Sequence, residues 1–228
     1  MEISAPLVIV SGMAFESAIA AGPGVQTLHG LNPRKLEDDM IQAIHRGAQG
    51  FMSFGTAAGL DPALVPGTLV IARRVVSGDM VYTSDEPWIA PWVSALPHAV
   101  FADMVGVNVP IAGVVDKAQL FADYGAAAAD MESHHVARVA QRFGLPCAVL
   151  RVVLDPANCA VPDAALAATR EDGTISYAKL LAALAKNPKQ LPAMMTLGRH
   201  HAAAKRSLLH GCGLLRVGRF GLDRRLGL

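Results

Sequence analysis

"AAAADMESHHVARVAQRFGLPCAVLRVVLD", residues 126–155, holds two apolar runs that each end in a carboxylate, with an amphipathic stretch between them. The first run leads into Asp130-Met131-Glu132, and the second, over 147–154, ends at Asp155. Val136, Val139, Ala140 and Phe143 recur at helical spacing, so a helix is expected over 133–143. Ser133 can cap its start, and Gly144 with Pro146 supplies the stop and the turn. The run 147–154 does not alternate and is rich in Val and Leu, as a strand buried on both faces should be. Strand, helix, strand predicts a βαβ unit with parallel strands, whose right-handed crossover brings both carboxyl ends to one edge. Ligands bind at that edge in open α/β sheets. Glu132 and Asp155 are therefore candidates for acid–base chemistry across one crevice. Each also has a structural explanation, Glu132 as a helix N-terminal acid and Asp155 as a turn residue before Pro156. Their joint placement favours chemistry. Arg151 is the one charge inside the second run, and a buried Arg needs a partner.

Composition sets the outer bounds. A chain of 228 residues is most simply one α/β domain with a short appendage. Apolar residues make up 52% but aromatics only 5%, which suits helices packed on a sheet. No run of about 18 uncharged apolar residues exists to span a membrane. No basic segment or cleavage site precedes the first strand, and the three cysteines have no metal-like spacing, so a cytoplasmic location is expected. His134-His135 and His200-His201 are adjacent pairs and not the i,i+4 pairs of a helical metal site, so no metal is expected. The net charge of +1 conceals an asymmetry. Residues 1–185 carry eleven Lys and Arg against eighteen Asp and Glu, a balance of −7, whereas residues 186–228 carry nine against one, a balance of +8. That basic end is either a solvated helix or oligomer contact, or a surface for anionic lipid. Its interspersed leucines and the lack of any nucleic-acid module set DNA and RNA aside.

Strands are further expected over 7–10, 25–28, 51–54, 69–76 and 111–115. Asn32 and Pro33 read as N-cap and first residue of a helix whose face is Leu36, Met40 and Ile44. Helices are expected over 117–124, 176–185 and 191–209, and a short one carrying Glu16 to the crevice. Gly55 to Gly59 is expected as a small-residue loop after a buried strand, where a ligand can approach the backbone or where the chain simply turns. Residues 77–98, with both tryptophans, are expected as a long functional or interfacial loop.

Three segments carry a family resemblance. "SFGTAAGLDPALVPGTLVI" (53–71) resembles the strand–loop–strand of the purine nucleoside phosphorylase and uridine phosphorylase superfamily. "DMESHHVARVAQRFGLPCAVLRVVLDPAN" (130–158) resembles its "MEGAAVA…RVISDxA" segment, and "SGMAFES" (11–17) the "GAMEEE" of methylthioadenosine/S-adenosylhomocysteine nucleosidases. "VVDKAQL", "DMESHHVARVA" and the basic end look most like the hopanoid-associated nucleoside phosphorylases, which are thought to release adenine from adenosylhopane. The resemblance implies a three-layer α/β/α fold with a central mixed sheet flanked by helices. It places a catalytic domain over 1–190 and a basic helical tail over 191–228 that docks at the inner membrane face, in a homo-oligomer.

Site roles follow from the same resemblance. Glu132 would hold the ribose hydroxyls and stay ionised, Met131 would pack under the ribose, and Asp155 would carry a proton to N7 of the leaving purine. Thr56 and Gly55 would bind phosphate or water, Glu16 would activate water, and Gln119 and Leu120 would frame the base. No cofactor is implied, and inorganic phosphate is a candidate co-substrate. The nucleophile stays open. Glu16 and the lack of Arg in 12–16 and 51–54 favour water, whereas the subfamily favours phosphate. The alternatives are a nucleosidase for soluble methylthioadenosine or S-adenosylhomocysteine, and a catalytically silent nucleoside-binding protein.

Overall fold

Alternation within the apolar runs builds the molecule, seen in a computed structural model that describes residues 7–217 and Phe220. The first half comprises β1 (Leu7–Ser11), α1 (Ala14–Ala20), β2 (Val25–His29), α2 (Pro33–His45), β3 (Gly50–Gly59), β4 (Leu69–Ser77), β5 (Met80–Thr83) and α3 (Glu86–Ala95). The second comprises β6 (Val100–Gly106), α4 (Val114–Tyr124), β7 (Ala128–Asp130), α5 (Ser133–Arg142), β8 (Cys147–Asp155), α6 (Asp163–Ala168), α7 (Tyr177–Lys186) and α8 (Leu191–Val217). Successive strand residues face opposite sides. Val8, Val10, Phe51, Val149 and Val153 pack under α2 and α5, while Leu7, Ile9, Met52, Phe54, Leu150 and Val152 pack against α3 and α8. The result is the expected three-layer α/β fold with a mixed sheet between helices.

The sheet is not the simple parallel one that residues 126–155 predict. Its order is β2-β1-β3-β7-β6-β4-β5, and β8 additionally pairs with both β3 and β4. The strands β3, β8, β4, β6 and β7 thereby close a ring. β8 runs parallel to β3, but β7 runs antiparallel to it, so β7 and β8 point in opposite directions. The carboxylates converge for another reason. Ala58 of β3 pairs with Ala129 on one side and Asp155 on the other, so β7 starts beyond the end of β8 and heads back toward it.

Local chemistry explains the other differences. Residues 55–59 are not a loop but the second half of β3, whose ten residues span the ring from β8 to β7. The expected strand over 111–115 is absent. Pro110 and Gly113 interrupt it, Gly113 is the N-cap of α4, and the strand is instead β6, half-exposed where Asp103 meets Arg73 and Arg74. Residues 77–98 are not a long loop. They form the β4–β5 hairpin and α3, which Asp85 caps by accepting the Trp88 N–H at 3.1 Å.

The tryptophans are buried, not interfacial. The Nε1–H groups of Trp88 and Trp92 both donate to the Phe220 carbonyl, at 2.6 and 2.8 Å. α8 lies in the same cluster through Ala204, Leu208, Cys212 and Leu215, so the inner face of the basic segment is core. Its outer face exposes Arg199, Lys205, Arg206 and Leu209. Arg216 is used internally and donates to the carbonyls of Ile19 and Ala21 at the end of α1. Among the described residues no helix is long and apolar enough to cross a membrane.

Ending the chain at Val217 should leave both buried indole N–H groups without their acceptor. Urea unfolding is expected to show a loss of about 2–6 kcal/mol, from about 1–3 for each unsatisfied donor.

Candidate active site

Arg151 points from β8 to the α5 side of the sheet, alternating with the apolar residues that face α3 and α8. Its side chain is 1% exposed, and all of its bonds go to the site. Nε lies 2.5 Å from Asp130 Oδ2, and Nη2 lies 3.2 Å from Glu132 Oε2. Nη2 donates to Ser53 Oγ at 2.5 Å and Nη1 to the Thr56 carbonyl at 3.3 Å. Ser133, expected as the helix cap, instead donates its hydroxyl to Asp130, and Glu132 occupies the N-cap position of α5. Asp130 thus braces both the guanidinium and the helix start, a part that spacing alone did not reveal.

Glu16 enters from the first turn of α1 and is 1% exposed. Its Oε1 accepts from the Thr56 N–H and the Thr56 hydroxyl, both at 2.7 Å, and its Oε2 from the Met13 N–H at 3.0 Å. Burial raises its pKa, against the pull of Arg151 and those bonds. Gly55 does not line the cavity as a ligand contact. Its φ is +155°, and a Cβ there would lie 2.6 Å from Glu16 Cδ and 2.8 Å from Arg151 Nη1. Gly12 makes the same allowance for Glu132, where a Cβ would lie 2.6 Å from Oε1. These glycines give up side chains so that the carboxylates can approach the backbone.

Glu132, expected to be ionised, is buried beside two further acids. Burial, opposed by Arg151 and reinforced by Asp130 and Glu16, pushes its carboxyl up to about 8. One guanidinium faces three carboxyl groups, and full ionisation of all three would leave excess negative charge in a dry site.

Asp155 ends β8 on the opposite side of the cavity and is also raised by burial. Its Oδ2 lies 2.5 Å from Nζ of Lys117, a fully buried residue on α4. Lys117 was not foreseen, because a single Lys in an amphipathic helix looks like a solvated one. Gln119 and Leu120, expected to frame the base, lie outside the cavity lining. Gln119 is exposed and donates to Asp123 at 2.8 Å, and Leu120 packs with Phe121 against Leu60 and Val105. Two residues along α4 the side chain faces elsewhere.

The resulting cavity of about 170 Å³ brings together Glu16, Thr56, Asp130, Met131, Glu132, Arg151 and Asp155. Leu31, Val107, Ile111, Val161 and Leu166 form its apolar wall. His134 and His135 stack at 3.9 Å outside it, each lowered to about 4 by burial and therefore neutral. Among the described residues no group of three or more His, Cys, Asp or Glu side chains is placed to hold a metal ion.

A sequence profile described as the phosphorylase superfamily matches residues 15–187. No curated protein matches the chain. Among solved structures, futalosine hydrolase of Helicobacter pylori is 17% identical, with a TM-score of 0.66 over 96% of this chain and 97% of that one. The 5′-methylthioadenosine/S-adenosylhomocysteine nucleosidase of the same organism is 16% identical, with a TM-score of 0.66 over 96% and 97%. S-adenosylhomocysteine nucleosidase of Streptococcus pyogenes is 18% identical, with a TM-score of 0.59 over 68% and 85%. At these identities the likeness establishes the fold.

The Glu132 pKa sets a stability prediction. Its proton is held in both states below about 4.5, and between about 4.5 and 8 in the folded state alone. The stability it contributes is present at low pH and falls by roughly 1.4 kcal/mol per pH unit as pH rises through that window. Glu132→Gln removes this dependence, so its unfolding free energy relative to the parent is expected to rise between pH 5 and pH 8 in urea titrations.

Proposed function

The chain belongs to the phosphorylase superfamily, and from that membership and the cavity geometry we propose that it hydrolyses the N-glycosidic bond of an adenosine-type nucleoside. The observation that carries this reading is the state of the cations. Phosphate needs positive charge to sit on, and among the described residues the cation lining the cavity, Arg151, is already held by Asp130 and Glu132, while Lys117 lies behind Asp155 with its donors turned to that side chain and to backbone carbonyls. Glu16 is a further carboxylate facing the space where phosphate would enter. A phosphate dianion is repelled there, and water is not. Phosphate as co-substrate is accordingly disfavoured.

Each group then has a task. Glu16 is the base that takes a proton from the attacking water, and burial raises its pKa, which strengthens it as a base. The Thr56 hydroxyl donates to Glu16 and keeps lone pairs free to accept from that water. Glu132 receives the ribose hydroxyls, whose hydrogen bonds favour its ionised form, and a carboxylate there stabilises positive charge developing on the sugar. Met131 lines the sugar side. Asp155 gives its proton to purine N7 as the bond to C1′ breaks, so adenine departs neutral.

The finer substrate is adenosylhopane. The hopanoid-type segments of the sequence support it, as do the apolar wall of the cavity and the exposed Val109 and Val115 in the adjoining segment, which suit an apolar 5′ substituent. The exposed bases of α8 suit anionic lipid, which supports the reading that the enzyme docks at the cytoplasmic membrane face where such a substrate lies, and a homo-oligomer is part of the same proposal. A soluble methylthioadenosine-type substrate is the second reading, favoured by full-length likeness to a nucleosidase named for it.

Adenine release is to be measured with adenosylhopane and with methylthioadenosine, each with and without phosphate. Phosphate-independent turnover, faster on adenosylhopane, is expected. Formation of a ribose 1-phosphate would overturn hydrolysis, and a preference for methylthioadenosine would select the second reading. Asp155→Asn and Glu16→Gln should each lower kcat by about 10²–10⁴-fold.

A further inference from the structure

Lys117 stands behind the acid, not in the cavity. Asp155 lines the cavity and Lys117 does not, although Nζ reaches Asp155 Oδ2 at 2.5 Å. Nζ also donates to the carbonyls of Asp155 at 3.2 Å, Pro156 at 3.1 Å and Cys159 at 2.7 Å. Those oxygens satisfy an ammonium, which has three N–H donors and no acceptor. Burying an ion pair is weak evidence for stability, since an apolar pair of similar volume commonly does as well. Anchoring the turn over 156–159 needs only neutral donors, so the charge calls for another explanation.

We propose that Lys117 is a positioning residue for the acid: it holds one oxygen of Asp155, presents the other to the leaving base, and stabilises the carboxylate left after proton transfer. The proposal rests on the hydrolase reading. During bond cleavage the C1′–N9 electron pair moves onto the purine. The Asp155 proton moves to N7, the proton of the attacking water moves to Glu16, and Lys117 keeps its own. The Lys117–Asp155 pair passes from one net positive charge to none, which a low-dielectric site favours. Burial pushes the Asp155 pKa up, and Lys117 draws it back down. His200 on α8 has its pKa lowered by burial and by the charge of Lys117. Glu16, Asp130, Glu132 and Arg151 line the same cavity as Asp155.

The test compares the parent with Lys117→Gln and Lys117→Met over pH, on an adenosine nucleoside and on its N7-methylated analogue. The methylated base leaves without needing a proton. Lys117→Gln keeps amide donors for the carbonyls, which separates loss of charge from loss of the turn. Both variants are expected to lose about tenfold to a hundredfold in kcat on the ordinary nucleoside. Their alkaline limb should move to higher pH, because Asp155 without the cation holds its proton longer. Far less should be lost on the methylated analogue. Equal losses on both substrates with an unmoved alkaline limb, or a parental profile, would overturn the Lys117 role alone. Absence of adenine release by the parent would overturn the hydrolase reading and this role with it.

Discussion

The interaction on which the rest depends is the bidentate hold of the Arg151 guanidinium on two carboxylates. Arg151 comes from β8, Asp130 from β7, and Glu132 from the N-cap position of α5, while Ser53 and the Thr56 carbonyl come from β3. One planar cation therefore joins three strands and a helix at the centre of the sheet. A Lys could not replace it, because its three donors radiate from a point and cannot serve partners along an edge. The arrangement also sets the protonation of the site. Three carboxyls share one full positive charge, so those with least solvent and weakest pairing hold protons above their ordinary range.

Topology makes that sharing possible. In a simple parallel unit, carboxylates from two strands would sit side by side on one edge. Here β7 and β8 run in opposite directions on either side of β3, so their ends face one another across it. The cavity lies where they meet, closed by α1 and by the segments around Val107 and Val161. Gly12 and Gly55 let carboxylates come within contact of the backbone, and that close approach removes water and raises the pKa values. Closeness, burial and perturbed acidity are one feature here. Asp155 belongs to a second charge pair on the far side, with its own cation.

The basic end of the chain has two faces with different duties. Apolar residues of α8 complete the core beside Trp88 and Trp92, and Arg216 caps the carbonyls at the end of α1. Among the described residues of α8, the outward bases are the ones free to meet an anionic surface. A helix that is also part of the core keeps a fixed orientation to the active site, which a detached tail would not have.

Much of this was legible in residues 126–155. The non-alternating run over β8, the helical stripe of α5 and the need of Arg151 for partners follow from periodicity and from the energetics of burying charge, both local or one-body properties. Glu16, Thr56, Met131, Glu132 and Asp155 were nameable in advance, and one cavity holds them all. Strand direction was not legible, because β7 has only three residues and its partner β3 is far away in sequence. The tryptophans were misjudged, and the burial of Lys117 had no sign in the sequence, for the same reason. A Trp in a proline-rich stretch or a Lys in an amphipathic helix carries no local sign of burial, and its partners lie at a distance along the chain. Sequence determined which residues had to be inside and which charges needed company. Only the tertiary structure decided which partners they found, because pairing across the sheet depends on strand order, and strand order is set by contacts no local pattern encodes.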